Sequence, residues 1–250
     1  MARDKSGEFP FGGRQFETTR WSLVRVAGDS RSPSCRAALE DLCQAYWPPV
    51  YAYVRRRGYD TAEAQDLTQG FFAHLLEGRR LKGARPERGR FRSFILASVG
   101  NYLANEWDRT QAQKRGGGNV LLAMDFDDVE SQYQVEAAGQ ETPDQAFERR
   151  WAITLLHRVM QRLREETERS GGRERADRLL PFLTEERTSI PYSTVAAELG
   201  MSESAVKVAI HRLRKRYGAM LRAEVADIVD GPDEIDREIR DLFAAVGSEL

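Results

Sequence analysis

Apolar residues recur at helical spacing near the carboxyl end of the chain. Four of them follow one another at intervals of four, three and four residues and so share one helical face: Val206, Ile210, Leu213 and Tyr217. A shorter helix is predicted before them from a second apolar group: Val195, Ala196 and Leu199. Ser193 and Ser202 are placed to cap the two helices, and Gly200 supplies the conformational freedom that a turn between them needs.

The same periodicity predicts helices through most of the chain. An early helix is expected to be interrupted at Pro48 and Pro49. The next helix begins where Asp60 and Glu63 form a capping box, and it ends near Gly78. Further helices are predicted over residues 91–113, within residues 147–172, and in a shorter segment that ends near Pro181. The helix within 147–172 is predicted from an apolar stripe: Trp151, Leu155, Val159 and Leu163. An amphipathic helix is predicted within residues 233–250 from Ile235, Ile239, Leu242 and Val246.

These patterns place the chain in the all-α class. Its 250 residues suit one large or two small domains. We predict two small helical domains joined by an acidic linker, the second domain containing a helix-turn-helix. The predicted segments are a tail over residues 1–20, a first domain over 21–118, a linker over 119–143, a second domain over 144–230 and an amphipathic extension over 231–250.

Charge is segregated along the chain, although the formal net charge is only -1. By count, residues 79–115 carry about +7, residues 119–150 about -6, residues 202–223 about +5 and residues 224–250 about -7. Two cationic surfaces joined by an acidic segment favour a polyanionic partner that is contacted twice. The acidic run DFDDVE lacks the glycine and terminal glutamate of a calcium loop and is expected to be solvated linker.

Several absences narrow the class of function. The sequence shows no apolar run of membrane-span length and no hydrophobic signal region at its start, so a cytoplasmic location without membrane contact is expected. Cys35 and Cys43 have no partner ligands at metal spacing and are expected to be buried free thiols. His74 and His157 are assigned ordinary packing or solvent contact. Without a clustered catalytic set, we predict no enzyme activity, no cofactor and no metal site.

The helix with the apolar stripe from Val206 to Tyr217 is basic on its opposite side. A helix, a glycine turn and a second helix with a basic outer side are typical of helix-turn-helix proteins, which place the second helix in the major groove of DNA. The seven residues expected to meet bases and phosphates, here called the basic face, are Ser204, Lys207, Val208, His211, Arg212, Arg214 and Lys215.

Four blocks of the chain, taken in order, resemble a known family. They are YWPPVYAYVRRRG, AEAQDLTQGFFAHLLE, FRSFILASVGNYLANEWDR and the carboxyl-terminal helix pair. Together they resemble an extracytoplasmic-function (ECF) sigma factor of bacterial RNA polymerase, in the sigma-70 family, over residues 21–226. The resemblance implies a protein that binds core RNA polymerase and directs promoter recognition and transcription initiation.

The resemblance also implies roles for particular residues. The helix containing DLTQGFF would contact the polymerase through Asp66, Gln69 and Phe72. The loop and helix that follow would melt the minus-10 promoter element and hold a flipped base. The minus-10 candidates are Arg88, Arg90, Arg92, Asn101, Asn105 and Arg109. The basic face would recognise the minus-35 element. Many family members have a small polar residue and then arginine where this chain has Val208 and Ala209, so a different recognised sequence is expected, with Val208 contacting a thymine methyl.

Three aromatic residues beside the minus-10 candidates have two interpretations. Single-stranded DNA prefers a cationic groove with aromatic platforms, and Phe91, Phe94 and Trp107 could supply them. Because large aromatic side chains are usually buried, these three are expected in the core instead. Asn101 and Asn105, four residues apart on one helical face, are the better candidates for polar contact with DNA.

The implied partners are core RNA polymerase and promoter DNA, and an anti-sigma factor or another regulator is left open. The acidic extension is expected to form a helix that folds onto the neighbouring basic helix or docks a regulator. The alternative function is a stand-alone helix-turn-helix transcription regulator. Such a protein would share the basic face but would not need the DLTQGFF helix.

Overall fold

The structure is a computed structural model. It describes residues 21–29, 31–77, 81, 84, 90–112, 126, 129–131, 133, 141–184, 190–226, 228–229 and 231–247. These residues form helices and connecting turns without a strand, so the all-α prediction is confirmed. The main helices are α1 (Trp21–Gly28), α2 (Cys35–Arg56), α3 (Thr61–Glu77), α4 (Phe91–Ala112), α5 (Pro143–Gly171), α6 (Arg173–Leu179), α7 (Pro181–Thr184), α8 (Tyr192–Glu198), α9 (Glu203–Ala226) and α10 (Pro232–Val246).

Helix α2 is the centre of the amino-terminal half. It packs against α1, α3, α4 and α5, and Val50, Tyr51 and Val54 are 0% exposed. The predicted interruption at Pro48 and Pro49 is wrong, because both prolines lie inside α2 and are buried. Each proline removes a backbone donor from the helix. We attribute the continuous helix to the tertiary contacts around α2, which outweigh this local cost.

Helices α3 and α4 complete the amino-terminal bundle. The capping box before α3 is confirmed, since the Glu63 N–H donates to Asp60 Oδ1 at 2.8 Å and the Asp60 N–H donates to Glu63 Oε2 at 3.3 Å. The rings of Phe71 and Tyr102 meet at 5.8 Å between centroids. A Cβ at Gly70 would lie 2.4 Å from the Tyr102 hydroxyl. The absence of a side chain at Gly70 therefore allows α4 to approach α3 closely.

Helix α5 joins the two halves of the molecule. Its start is a capping box, in which the Gln145 N–H donates to Thr142 Oγ1 at 3.2 Å and the Thr142 N–H donates to Gln145 Oε1 at 2.8 Å. The predicted apolar stripe is confirmed as buried: Trp151, Leu155, Val159 and Leu163. Helix α5 packs against α2 on one side and against α6, α9 and α10 on others.

One apolar core extends through both halves. It includes Tyr51 of α2, Ile95 of α4, Leu163 of α5, Leu221 of α9 and Leu242 of α10. The two predicted domains therefore pack together in this structure, while their boundaries stay predictions.

Part of the acidic segment is packed on α2. Phe126, Val129 and Glu130 are buried, and the ring of Phe126 lies 5.3 Å from that of Tyr51. The Tyr51 hydroxyl donates to Glu130 Oε2 at 2.6 Å, and Arg55 Nη2 donates to Glu130 Oε1 at 2.9 Å. Burial, together with the bond to Glu130, raises the pKa of Tyr51. The expected solvated linker is wrong for these residues; the aspartates of DFDDVE lie outside the described residues.

The environments of the two cysteines and of His74 and His157 can be compared with the predictions. Both cysteines are free thiols, and burial raises the pKa of Cys43 to about 12. Cys35 is only partly buried and donates to the Ala27 carbonyl at 3.4 Å. The ring of His74 packs 5.4 Å from that of Tyr102, and His157 is exposed.

Helices α8 and α9 pack on each other across a tight turn. Gly200 has φ of +62°, a left-handed conformation that favours glycine. Ser202 caps α9 as predicted, since its Oγ accepts from the Ala205 N–H at 3.2 Å. The predicted cap at Ser193 is wrong, because α8 begins at Tyr192, with Pro191 at the N-cap position and no side-chain cap. A small core holds the pair to α6 and α7: Leu179, Phe182, Val195, Ala196, Val206, Ala209 and Ile210.

Helix α10 confirms that the extension contains a helix. It follows Gly231 and packs on α5 and α9. Leu242 is its most buried apolar side chain, at 2% exposed, and Phe243 is 50% exposed. Arg222 of α9 pairs with Asp236 at the surface.

Candidate nucleic-acid and polymerase interface

All seven residues of the basic face are exposed. The opposite side of α9 carries Val206 and Ile210, which are 0% and 2% exposed and pack on the small core. Val208 is 48% exposed although its side chain is apolar. The apolar stripe thus fixes the orientation of α9 and leaves its polar and cationic side chains on one surface.

Some side chains of the basic face are oriented by neighbours. Lys207 Nζ lies 5.5 Å from the ring centre of Tyr192, at cation–π distance. Ser204 Oγ lies 3.0 Å from Ser202 Oγ. Arg214 Nη2 donates to the Phe182 carbonyl at 2.9 Å, which ties α9 to α7.

A surface ion pair fixes the adjoining turn of α9 to α5. Arg216 makes two hydrogen bonds to Glu166, from Nε and from Nη2, each at 2.8 Å. The hydrogen bonds from Arg216 lower the pKa of Glu166, and the same bonds raise the pKa of Arg216. Arg216 therefore acts in this structure as a structural cation beside the basic face.

The carboxyl-terminal half of α4, here called its outer part, carries a polar and aromatic surface. Asn101 and Asn105 are exposed, as polar contact with DNA would require. The expectation that the aromatics are buried is correct for Phe91, at 4% exposed, and wrong for Trp107, at 60% exposed. Phe94 is partly buried and stacks on Phe91 at 5.7 Å. Trp107 continues the spacing of a buried stripe: Ile95, Val99 and Leu103. Periodicity predicts this stripe but not the point at which the covering helices end.

The beginning of α4 is different, because its cations face acids. We call Arg90 and Arg92 the α4 base. Arg92 is 7% exposed; its Nε lies 2.8 Å from Glu148 Oε2, and its guanidinium lies 4.4 Å from the ring centre of Trp151. Glu238 of α10 accepts from Arg92 Nη1, and its other oxygen lies 2.7 Å from Arg90 Nη1. The sequence does not predict these partners, although the opposite charge of the extension is a signal of them.

The electrostatics of the α4 base follow from its burial. Burial lowers the pKa of Arg92, while the charge of Glu148 opposes this effect. Burial also raises the pKa of Glu148, against the attraction of Arg92. The attraction between Arg92 and Glu148 therefore favours their charged forms, which burial alone would disfavour.

Two of the minus-10 candidates are not described. Arg88 and the side chain of Arg109 lie outside the described part of the structure.

The polymerase candidates of α3 divide between surface and core. Asp66 is exposed and Gln69 is partly exposed. Phe72 is 1% exposed, and its ring lies 5.2 Å from that of Phe71. In this structure Phe72 packs in the core that orients α3, and Asp66 and Gln69 are the side chains available at the surface.

A protein-family model matches the segment that contains most of α2 and all of α3 and α4. Residues 42–113 match the family model of Sigma-70 region 2. This match supports a sigma-70 family sigma factor. In sigma factors this region binds RNA polymerase and takes part in promoter recognition and melting. The matched segment contains the polymerase candidates and the minus-10 candidates, and the basic face lies beyond it.

No curated protein and no solved structure matches the chain significantly. Among the described residues, no group of three or more His, Cys, Asp or Glu side chains could hold a metal ion. No helix in the described ranges is long and apolar enough to cross a membrane.

Proposed function

We propose that the chain is an ECF sigma factor that binds core RNA polymerase and directs promoter recognition and transcription initiation. One observation carries the proposal. The Sigma-70 region 2 match at residues 42–113 is followed, beyond the acidic segment, by a helix pair whose second helix exposes a basic face. Recognition of a promoter at two separated elements requires a second DNA-contacting surface of this kind.

Helix α3 would supply the polymerase contact. Asp66 and Gln69, three residues apart and both at the surface, would meet the polymerase directly. Phe72 would act from the core, where it is 1% exposed, by holding α3 in position.

Helix α4 would hold the melted minus-10 strand. Asn101 and Asn105 would hydrogen-bond to an unpaired base, and the exposed ring of Trp107 would offer a stacking surface. Arg88 and Arg109 would add positive charge for the phosphates. Arg90 and Arg92 would join them only if their acidic partners were displaced.

Helix α9 would enter the major groove at the minus-35 element. Ser204, Lys207, Val208 and His211 would face base edges, with Val208 placed against a thymine methyl. Arg212, Arg214 and Lys215 would lie towards the phosphates. The proposal gives the chain no catalytic role and no cofactor or metal, and it places the protein in the cytoplasm with its polymerase.

The proposal is tested by mixing the purified chain with bacterial core RNA polymerase. We expect co-elution in size-exclusion chromatography, and enrichment of two spaced motifs when the complex selects from random DNA fragments. DNA selection by the chain alone, without co-elution, would instead support the stand-alone regulator. A double variant, Asp66→Ala with Gln69→Ala, should lose co-elution while keeping its helical circular dichroism, because both side chains lie at the surface.

A further inference from the structure

The extension places one carboxylate in the interior of the molecule. Glu238 of α10 is 0% exposed, and its two oxygens face the two cations of the α4 base. Asp241 lies 3.8 Å from Arg90 Nη1 and adds a weaker, exposed partner. Because a buried carboxylate is tolerated only when it is paired, docking of α10 and burial of the α4 base depend on each other.

Apolar contacts hold α10 in the position that this pairing needs. Leu242 is 2% exposed within the main core, and Ile235, Ile239 and Val246 pack against the same core. These residues recur at intervals of three and four, so they form one face of α10. The acid and the apolar face therefore anchor one helix by two separate means.

Helix α5 forms the other wall of the site. Glu148 approaches Arg92 to 2.8 Å, and Trp151 lies beneath its guanidinium at 4.4 Å. The α4 base is thus enclosed between α5, which follows the acidic segment, and α10, at the far end of the described chain. Only 8% of the Arg92 side chain and 32% of the Arg90 side chain are exposed, which leaves little room for a phosphate to reach them.

Docked α10 and a nucleic acid strand compete for the same cations. Carboxylates and phosphates both bind guanidinium groups through paired oxygens. A helix of the acidic extension, whose residues 231–250 carry about -4 by count, therefore occupies the place of a polyanion.

We propose that α10 is a latch. When docked through Glu238, it withholds Arg90 and Arg92 from single-stranded DNA. Its release opens the α10 side of both cations, while Glu148 stays beside Arg92. The proposal deepens the proposed function and rests on it, because it takes the α4 base to be part of the minus-10 contact.

Three variants of the full chain separate the latch from other effects of charge. Glu238→Gln keeps the shape of the side chain and removes its charge, and Leu242→Ala weakens the apolar anchor without changing charge. Asp236→Asn is the matched control, since it removes one acid from the same helix, and among the described residues Asp236 pairs with Arg222 at the surface. Circular dichroism should show that each variant keeps its helix content.

The first measurement is hydrogen–deuterium exchange of the free protein. We expect exchange in α10 and at the start of α4 to rise at least about tenfold in Glu238→Gln and Leu242→Ala, because a buried pair or anchor is lost. Asp236→Asn should match the wild type. Equal exchange in all four proteins would overturn the latch.

The second measurement is fluorescence anisotropy with a labelled random-sequence single-stranded oligonucleotide at low salt. Glu238→Gln and Leu242→Ala should bind at least about threefold more tightly than Asp236→Asn, because two cations become accessible. Faster exchange with unchanged oligonucleotide affinity would overturn the withholding of Arg90 and Arg92. If wild-type chain with core polymerase still selects two spaced motifs, that result leaves the proposed function standing; if it selects none, the proposed function itself fails.

Discussion

The α4 base and the basic face of α9 are both cationic, yet the structure treats them in opposite ways. Arg92 is 7% exposed, between two carboxylates and an indole ring, whereas the residues of the basic face are exposed. The net charge of each segment does not distinguish these two surfaces, because both segments are basic. The difference shows that a cation contributes to folding or to ligand binding according to which acidic segments the fold brings beside it.

The largest expected effect is the loss of stability on removing a cation from the α4 base, compared with removing one from the basic face. Arg92→Ala would remove the cation that pairs with Glu148 and with the buried Glu238. We therefore expect the free energy of unfolding to fall by about 3–5 kcal/mol. Lys215→Ala, at an exposed position, should change it by no more than about 0.5 kcal/mol. Urea unfolding followed by circular dichroism measures both. Similar small losses would contradict the contrast between the surfaces.

The second effect concerns DNA. Lys207→Ala should reduce the affinity of the polymerase complex for its selected DNA by about 1–3 kcal/mol, if Lys207 contacts a base. The free energy of unfolding should hardly change, because Lys207 is exposed and its contact with Tyr192 is a cation–π contact at 5.5 Å. Competition binding against a scrambled fragment is the check. A loss of equal size on the scrambled fragment would make Lys207 a phosphate contact.

The outer part of α4 offers a third, smaller test. Trp107 is 60% exposed, so Trp107→Ala should reduce single-stranded DNA affinity by about 1 kcal/mol through lost stacking. Trp107→Phe should retain part of that affinity because it keeps an aromatic ring. The readout is anisotropy with a labelled oligonucleotide. Full affinity in the alanine variant would remove Trp107 from the proposed contact.

The smallest effect is expected at the ion pair beside the basic face. Arg216 lowers the pKa of Glu166 in the folded state, so the pair stabilises the fold above the ordinary glutamate pKa of 4.5 and loses this effect as the pH falls through the lowered value. Both side chains are more than a third exposed, so Glu166→Gln should cost no more than about 1 kcal/mol at pH 7. Urea unfolding at pH 7 and at about pH 3 compares variant and wild type. A difference that does not shrink at the lower pH would contradict this assignment.

Regular elements were largely predictable because they rest on local periodicity. The stripe from Trp151 to Leu163, the capping box at Asp60 and the turn at Gly200 each follow from residues close together in sequence. Local rules do not predict the continuous helix through the prolines of α2, because they ignore tertiary packing. They do not predict the exposure of Trp107, because an apolar stripe does not reveal where the helices that cover it end.

The acidic partners of the α4 base could not be predicted, because they too depend on tertiary packing. Arg92 and Glu238 are separated by 146 residues, and only the folded chain brings them together. Glu130 likewise meets Tyr51 across 79 residues, so an acidic segment that reads as linker is partly packed on α2. In contrast, exposure of the basic face followed from the apolar stripe of its own helix.

Transcription by purified components tests the central claim most directly. Core RNA polymerase would be supplied with a DNA fragment enriched by the complex, with and without the chain, and the transcripts would be sized. We predict a transcript with a defined start only when the chain is present, and its loss when the basic-face variant Lys207→Ala is combined with Asn101→Ala and Asn105→Ala. A complex that binds the fragment but gives no transcript beyond that of core polymerase alone would contradict the assignment of this chain as a sigma factor.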